Sequence, residues 1–160
     1  MIGVETDASG DWDSRIDWPA LARSAVHAAI AHSRHPRLAD SEVSVKLTSD
    51  AEVRALNAAW RGKDKATNVL SFPMAAEDEL DSAQLLGDIV LAYGVCAAEA
   101  ADKGVGIETH AAHLVVHGTL HLLGYDHETS DEEAEEMEDV ERRALAAIGI
   151  ADPYLSEVQS

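Results

Sequence analysis

Cysteine is nearly absent from this chain. Cys96 is the only one in 160 residues, so no intrachain disulfide can form and a cysteine-based zinc knuckle is excluded. Any metal must rest on His, Asp or Glu. Basic residues are scarce too: 12 Lys and Arg face 30 Asp and Glu, a formal charge of −18. Phosphate affinity is built from Lys and Arg, so this balance argues against a generic nucleic-acid binder. No apolar run reaches membrane-spanning length. The opening residues, MIGVETDASGD, lack the basic start and apolar core of a signal peptide, and a cytoplasmic location is expected. What the chain does have is 46% hydrophobic residues, enough for a real core. Residues 1–160 are expected to form one domain.

The charges are unevenly spread. Nine acids and no base lie between Glu128 and Glu141, and a second acidic cluster, EDELD, occupies 77–81. These runs read as a solvated helix face and a loop. The densest basic patch is RGKDK, with Arg61, Lys63 and Lys65.

Periodicity and capping signals divide the chain into short elements. A weak strand signal covers Gly3–Thr6. Asp17 and Pro19 open a helix to about Ser33, with Leu21, Ala25, Val26, Ala29 and Ile30 on its apolar side. SEVSVKLTS alternates and predicts a strand with Val43, Val45 and Leu47 on one face. Ser49 and Glu52 form a capping-box pattern for a helix to about Trp60. RGKDKATN reads as a loop, NVLSF as a strand stopped by Pro73, and 74–86 as an exposed acidic loop. GDIVLAY reads as a buried strand. Helices follow over about Tyr93–Lys103, Glu108–Leu123 and Ser130–Ile148, each ended by glycine; the last has an apolar stripe of Met137, Val140, Ala144, Leu145 and Ile148. Mixed elements of these lengths suggest an α+β or α/β layer structure with a small sheet.

HGTLHLLGYDH, residues 117–127, carries the chemistry. Four residues on a helix leave two side chains roughly 40° apart and about 6 Å along the axis. His117 and His121 therefore point the same way and can bite one ion. Gly124 can end the helix in the left-handed conformation, and the chain can return His127 to the same ion. Three imidazoles leave a fourth position open for water, the arrangement of a catalytic zinc site. One zinc ion is expected, although nickel, copper and iron accept the same donors.

Single histidines on apolar helices are more often hydrogen-bonded core residues than ligands, but three around a glycine turn are hard to dismiss. His110 and His113 extend the stripe backwards. His113 suits either a site contact or the core, whereas solvent exposure is expected for His110 near the helix start. Asp126 is a candidate to orient a ligand histidine, or an ordinary turn residue. Gly118 stands where an HExxH metalloprotease carries its glutamate base, so a peptidase reading loses that base.

At these residues the chain resembles the YbeY family of bacterial rRNA-maturation endoribonucleases, whose signature is H-G-x-L-H-L-x-G-Y-D-H. NAAWRGKDKATNVLSFP at 57–73 resembles that family's basic segment, GDIVLA at 87–92 its following strand, and DEEAEEMEDVE with DPY its C-terminal helix and tail. The likeness covers roughly residues 43–155. It implies an α+β fold with a small mixed sheet, about five helices and a metal site at the end of a buried helix. It also implies a zinc-type ion on His117, His121 and His127, with Arg61 as the functionally important arginine.

The implied activity is metal-dependent, single-strand-specific cleavage of RNA. It would serve rRNA maturation near the 3′ end of the small-subunit RNA, and ribosome assembly and quality control. Arg61 would hold the phosphate and His117 would act at the reacting centre. Lys63 and Lys65 could steer the RNA or simply solvate the loop; Asn68 and Ser71 could line the cleft. Implied partners are rRNA, the assembling small subunit, ribosomal proteins and assembly GTPases, with no membrane. RNA brings its own 2′-hydroxyl nucleophile, so the missing glutamate matters less than in a protease. Two rivals remain: a non-catalytic assembly factor with a structural metal, and a metallohydrolase of peptides or small molecules.

Overall fold

Five α-helices pack on a four-stranded sheet in a computed structural model of the chain, which describes residues 2–38, 40–126 and 129–153. The strands are β1 (Ile2–Ala8), β2 (Ser41–Thr48), β3 (Val69–Pro73) and β4 (Leu85–Ala92). The helices are α1 (Trp18–His32), α2 (Asp50–Arg61), α3 (Tyr93–Lys103), α4 (Ile107–Leu122) and α5 (Asp131–Ala147). The sheet order is β1-β2-β4-β3; β1, β2 and β4 run parallel, and β3 lies antiparallel to β4 at the edge. This is the expected α+β fold with a small mixed sheet. Among the described residues, no helix is long and apolar enough to cross a membrane.

The alternation in β2 sets the two layers. Val43, Val45 and Leu47 are essentially fully buried and join Ile89 and Leu91 of β4 against α1, α4 and α5. Burial of each such side chain contributes roughly 1.5–3 kcal/mol. The opposite sheet face carries a smaller cluster, in which Val53 and Leu56 of α2 cover Leu70, Val90 and Ala92. α4 is the central helix, buried along nearly its whole length from His110 to Leu122. That is why its apolar residues go all the way round instead of forming one stripe.

The helix ends follow local chemistry. Asp17 accepts the Ala20 N–H and Ser49 accepts the Glu52 N–H. The capping box at Ser49 is only half used, because the Glu52 carboxylate pairs with Lys46 and accepts from Thr48 instead. Ser130 caps α5 through the Glu133 N–H.

Two expectations are corrected. Residues 74–86 are not simply an exposed loop: Glu77–Ser82 form a 3-10 helix that buries Leu80, and β4 starts at Leu85. The acidic run of 128–141 is mostly a solvated face, but Glu141 is fully buried.

Candidate active site

The end of α4 is shaped by a glycine turn. The Gly124 N–H donates to the His121 carbonyl at 3.1 Å and the Tyr125 N–H to the Leu120 carbonyl at 3.0 Å, with Gly124 at φ +100°. This double bond pattern is a Schellman closure, which satisfies two end carbonyls and reverses the chain. The reversal puts the Tyr125 carbonyl 2.9 Å from His121 Nδ1.

His117 is held from the other side. Its Nδ1 lies 2.6 Å from Glu141 Oε1, and the second oxygen of that carboxylate is 3.2 Å from His113 Nε2. Burial alone would raise the Glu141 carboxyl. Hydrogen bonds from His113 and His117 outweigh it and hold the group below the ordinary carboxylate range. An ionised carboxylate only accepts, as does a carbonyl. Both Nδ1 atoms therefore donate, and the two Nε2 atoms face each other.

Those Nε2 atoms are 3.1 Å apart. Two nitrogens each about 2.05 Å from a tetrahedral zinc would be separated by about 3.3 Å. The donor set thus fits a divalent cation, with Glu141–His117 as a carboxylate–histidine pair behind it. Among the described residues, no group of three His, Cys, Asp or Glu is arranged to hold a metal. The third expected ligand, His127, lies outside the described residues. Asp126 is exposed and its N–H reaches Glu133 at 3.4 Å.

One cavity of about 720 Å³ joins these histidines to the basic loop: Arg61, Lys63 and Lys65 line it with Asn68, Ser71, His117 and His121. Gly62, at φ +68°, ends α2 and turns the chain into that loop. Asn57, buried in α2, pins the loop by donating to the Lys65 carbonyl at 2.9 Å. An Arg54–Asp64 pair braces it outside. Asn68 donates to Glu99 at 3.0 Å and Ser71 to the Gly118 carbonyl at 3.3 Å, so both cavity-lining residues are also structural.

Gly118 has a packing reason. A Cβ there would lie 2.9 Å from Ile89 Cγ2 and 3.0 Å from Ser71 Oγ. α4 approaches the β3–β4 pair too closely at this point for a side chain. His110 is corrected: it is buried, not exposed, with Nε2 2.8 Å from Glu99. Burial lowers its pKa, with Glu99 opposing. The short α3–α4 connection packs the start of α4 under α3.

Sequence reasoning missed Glu141, Glu99 and Arg34. Glu141 carried a usable signal: it falls on the Met137, Val140, Ala144, Leu145 stripe, where a carboxylate is out of place unless paired. Arg34 had none, since its partners are remote in sequence. Its guanidinium sits 4.0 Å from the Tyr125 ring centroid, donates to Glu77 at 2.6 Å and reaches the Gly124 carbonyl at 3.4 Å. It thereby clamps the turn behind His121. Arg34→Ala is expected to cost about 1–2 kcal/mol from the cation–π and partly exposed ionic contacts together. Glu77's pKa is lowered, chiefly by Arg34, so the clamp stabilises above the ordinary carboxylate pKa and fails as pH falls through and below it. Thermal unfolding across pH 3–6 checks this: the variant should lose part of the wild type's acid sensitivity.

A glycine-closed central helix on a small mixed sheet, with paired imidazoles and a basic loop lining one cavity, defines a hydrolase-like site for an anionic substrate. The family model for Endoribonuclease YbeY matches residues 8–149, and the chain belongs to the YbeY family. Endoribonuclease YbeY of Rhizorhabdus wittichii is 54% identical, covering 96% of this chain and 97% of that protein. The protein of the same name from Novosphingobium aromaticivorans is also 54% identical, covering 96% of each. The solution structure of TM1509 from Thermotoga maritima matches with a TM-score of 0.58 at 26% identity, covering 92% of this chain and 91% of that one.

Proposed function

We propose that this chain is a metal-dependent endoribonuclease of rRNA maturation, acting on single-stranded RNA near the 3′ end of small-subunit rRNA. The observation that carries the mechanism is the shared cavity, with two facing Nε2 atoms on one side and Arg61 on the other. Membership of a family named for endoribonuclease activity supports the substrate class.

In this reading His117, His121 and His127 hold one divalent ion, zinc in the first instance. Such an ion supplies Lewis acidity and lowers the pKa of water. Glu141 and the Tyr125 carbonyl hold both Nδ1 atoms as donors, which would leave the Nε2 atoms as the ligating positions. Arg61 is exposed and makes no ion pair among the described residues, so its planar fork is available to a phosphate. As the scissile phosphate gains charge, Arg61 stabilises it. Lys63 and Lys65 guide the strand. The packing of Gly118 against Ile89 leaves no room for a glutamate base, which weighs against the peptidase reading. The place of action would be the cytoplasm, with the assembling small subunit, its proteins and assembly GTPases as partners.

The test is cleavage of a precursor containing the 3′ end of small-subunit rRNA, with bound metal quantified. Arg61→Ala should lower kcat by about 10²–10³ with metal content unchanged. His117→Ala should lose both metal and cleavage while staying folded. Equal cutting by wild type and His117→Ala would sink the catalytic role of the site.

A further inference from the structure

The sheet face that α2 half covers carries a second cavity, about 730 Å³ in volume. Leu56, Trp60, Phe72, Met74 and Val90 give it apolar walls. Trp60 is 73% exposed, the largest exposure among the big hydrophobic side chains described. The small cluster beneath α2 is packed by Val53, Leu56, Leu70 and Phe72, and does not include Trp60. An indole so exposed at the last turn of a helix adds little to the core.

This groove and the histidine cavity adjoin. Arg61, Ser71 and Pro73 line both. Arg61 therefore stands on the ridge between a place for a phosphate and an exposed aromatic face one residue away. Among the charges lining the groove Lys46 and Glu52 pair and Arg61 offsets Asp88, so the groove carries no net negative charge. On a chain of net charge −18, long-range attraction for RNA is weak, so affinity must come from short-range contacts.

We propose that Trp60 is a nucleobase-stacking platform, and that the groove takes the base of an RNA nucleotide flanking the phosphate held by Arg61. This rests on the endoribonuclease reading and adds a subsite to it. Every base has a π-face, so stacking tolerates any sequence but requires an unpaired strand. Asp88 and Ser44 at the groove floor offer acceptors to exocyclic amino groups of bases.

The test uses tryptophan fluorescence. Trp12 and Trp18 are buried, at 4% and 2% exposure, so a single-stranded oligoribonucleotide can reach Trp60 alone. In the full-length His117→Ala protein, which cannot cut, titration with that RNA should quench emission saturably. A further Trp60→Phe change should abolish the quenching. In the otherwise wild-type protein, Trp60→Ala should raise KM about tenfold or more with little change in kcat. Trp60→Phe should keep KM within about threefold, since the ring is retained. Metal content and Tm should be unchanged in both. Wild-type kinetics in Trp60→Ala, with no quenching, overturn the proposal. So does unchanged RNA kinetics alongside lost binding to purified small-subunit proteins, which would make this a protein-docking face. If wild type fails to cut but RNA still quenches Trp60, the subsite stands and the catalytic reading falls. If wild type cuts without the quenching, the reverse holds.

Discussion

Glu141→Ala is expected to destabilise the protein by about 3–5 kcal/mol, the cost of removing one side of a buried charged hydrogen-bonded group. The carboxylate is fully buried and serves two imidazoles, His117 Nδ1 at 2.6 Å and His113 Nε2 at 3.2 Å. Truncation leaves both ring N–H groups facing a cavity without an acceptor. Glu141→Gln separates stability from positioning. Its amide oxygen can still accept one ring N–H, so the fold should survive. Its NH₂ presents a donor to the other ring, which then loses its fixed tautomer. Metal affinity should fall about 10- to 100-fold, the usual effect of losing a carboxylate behind a ligand histidine. Competitive chelation on the purified variant, with urea unfolding beside it, reads both quantities. Wild-type affinity in Glu141→Gln would mean that the carboxylate only fills space.

Gly118→Glu restores the protease spelling HExxH and is expected to abolish stable folding instead of creating a peptidase. The added Cβ would meet Ile89 at 2.9 Å and Ser71 at 3.0 Å before the carboxyl is placed. Overpacking of this kind costs about 1–3 kcal/mol, and an unpaired buried carboxyl adds more. Gly118→Ala isolates the first part and should show only the smaller loss. Tm and near-UV circular dichroism of the two variants are the measurements. A folded Gly118→Glu protein of wild-type Tm would show that α4 can draw back from the sheet. The glycine would then need a functional explanation.

Most of the framework was legible in the sequence because it is local. The β2 alternation, the Ser49 cap, the glycine stops and the i, i+4 histidine pair all act within a few residues. α3 falls at Tyr93–Lys103, as the alanine-rich stretch bounded by glycine predicts. The 3-10 helix at Glu77–Ser82 was missed because Leu80 gains its burial from the rest of the chain, not from periodicity. His110 was misread for the same reason: its position near a helix start says nothing of the α3 residue, Glu99, that packs beside it.

The sequence by itself determined which side chains could meet on α4, because helix pitch fixes His117 against His121. It also determined the closure after them, because Gly124 can adopt a positive φ. Only the tertiary structure decided what stands behind and across from that pair. Glu141 lies 24 residues from His117 and Arg34 lies 91 from Tyr125. Arg61 reaches the histidine cavity only because α2 and α4 cover opposite faces of one sheet beside its β3 edge. Such pairings come from burial of apolar faces, which is non-directional. No local spacing encodes them.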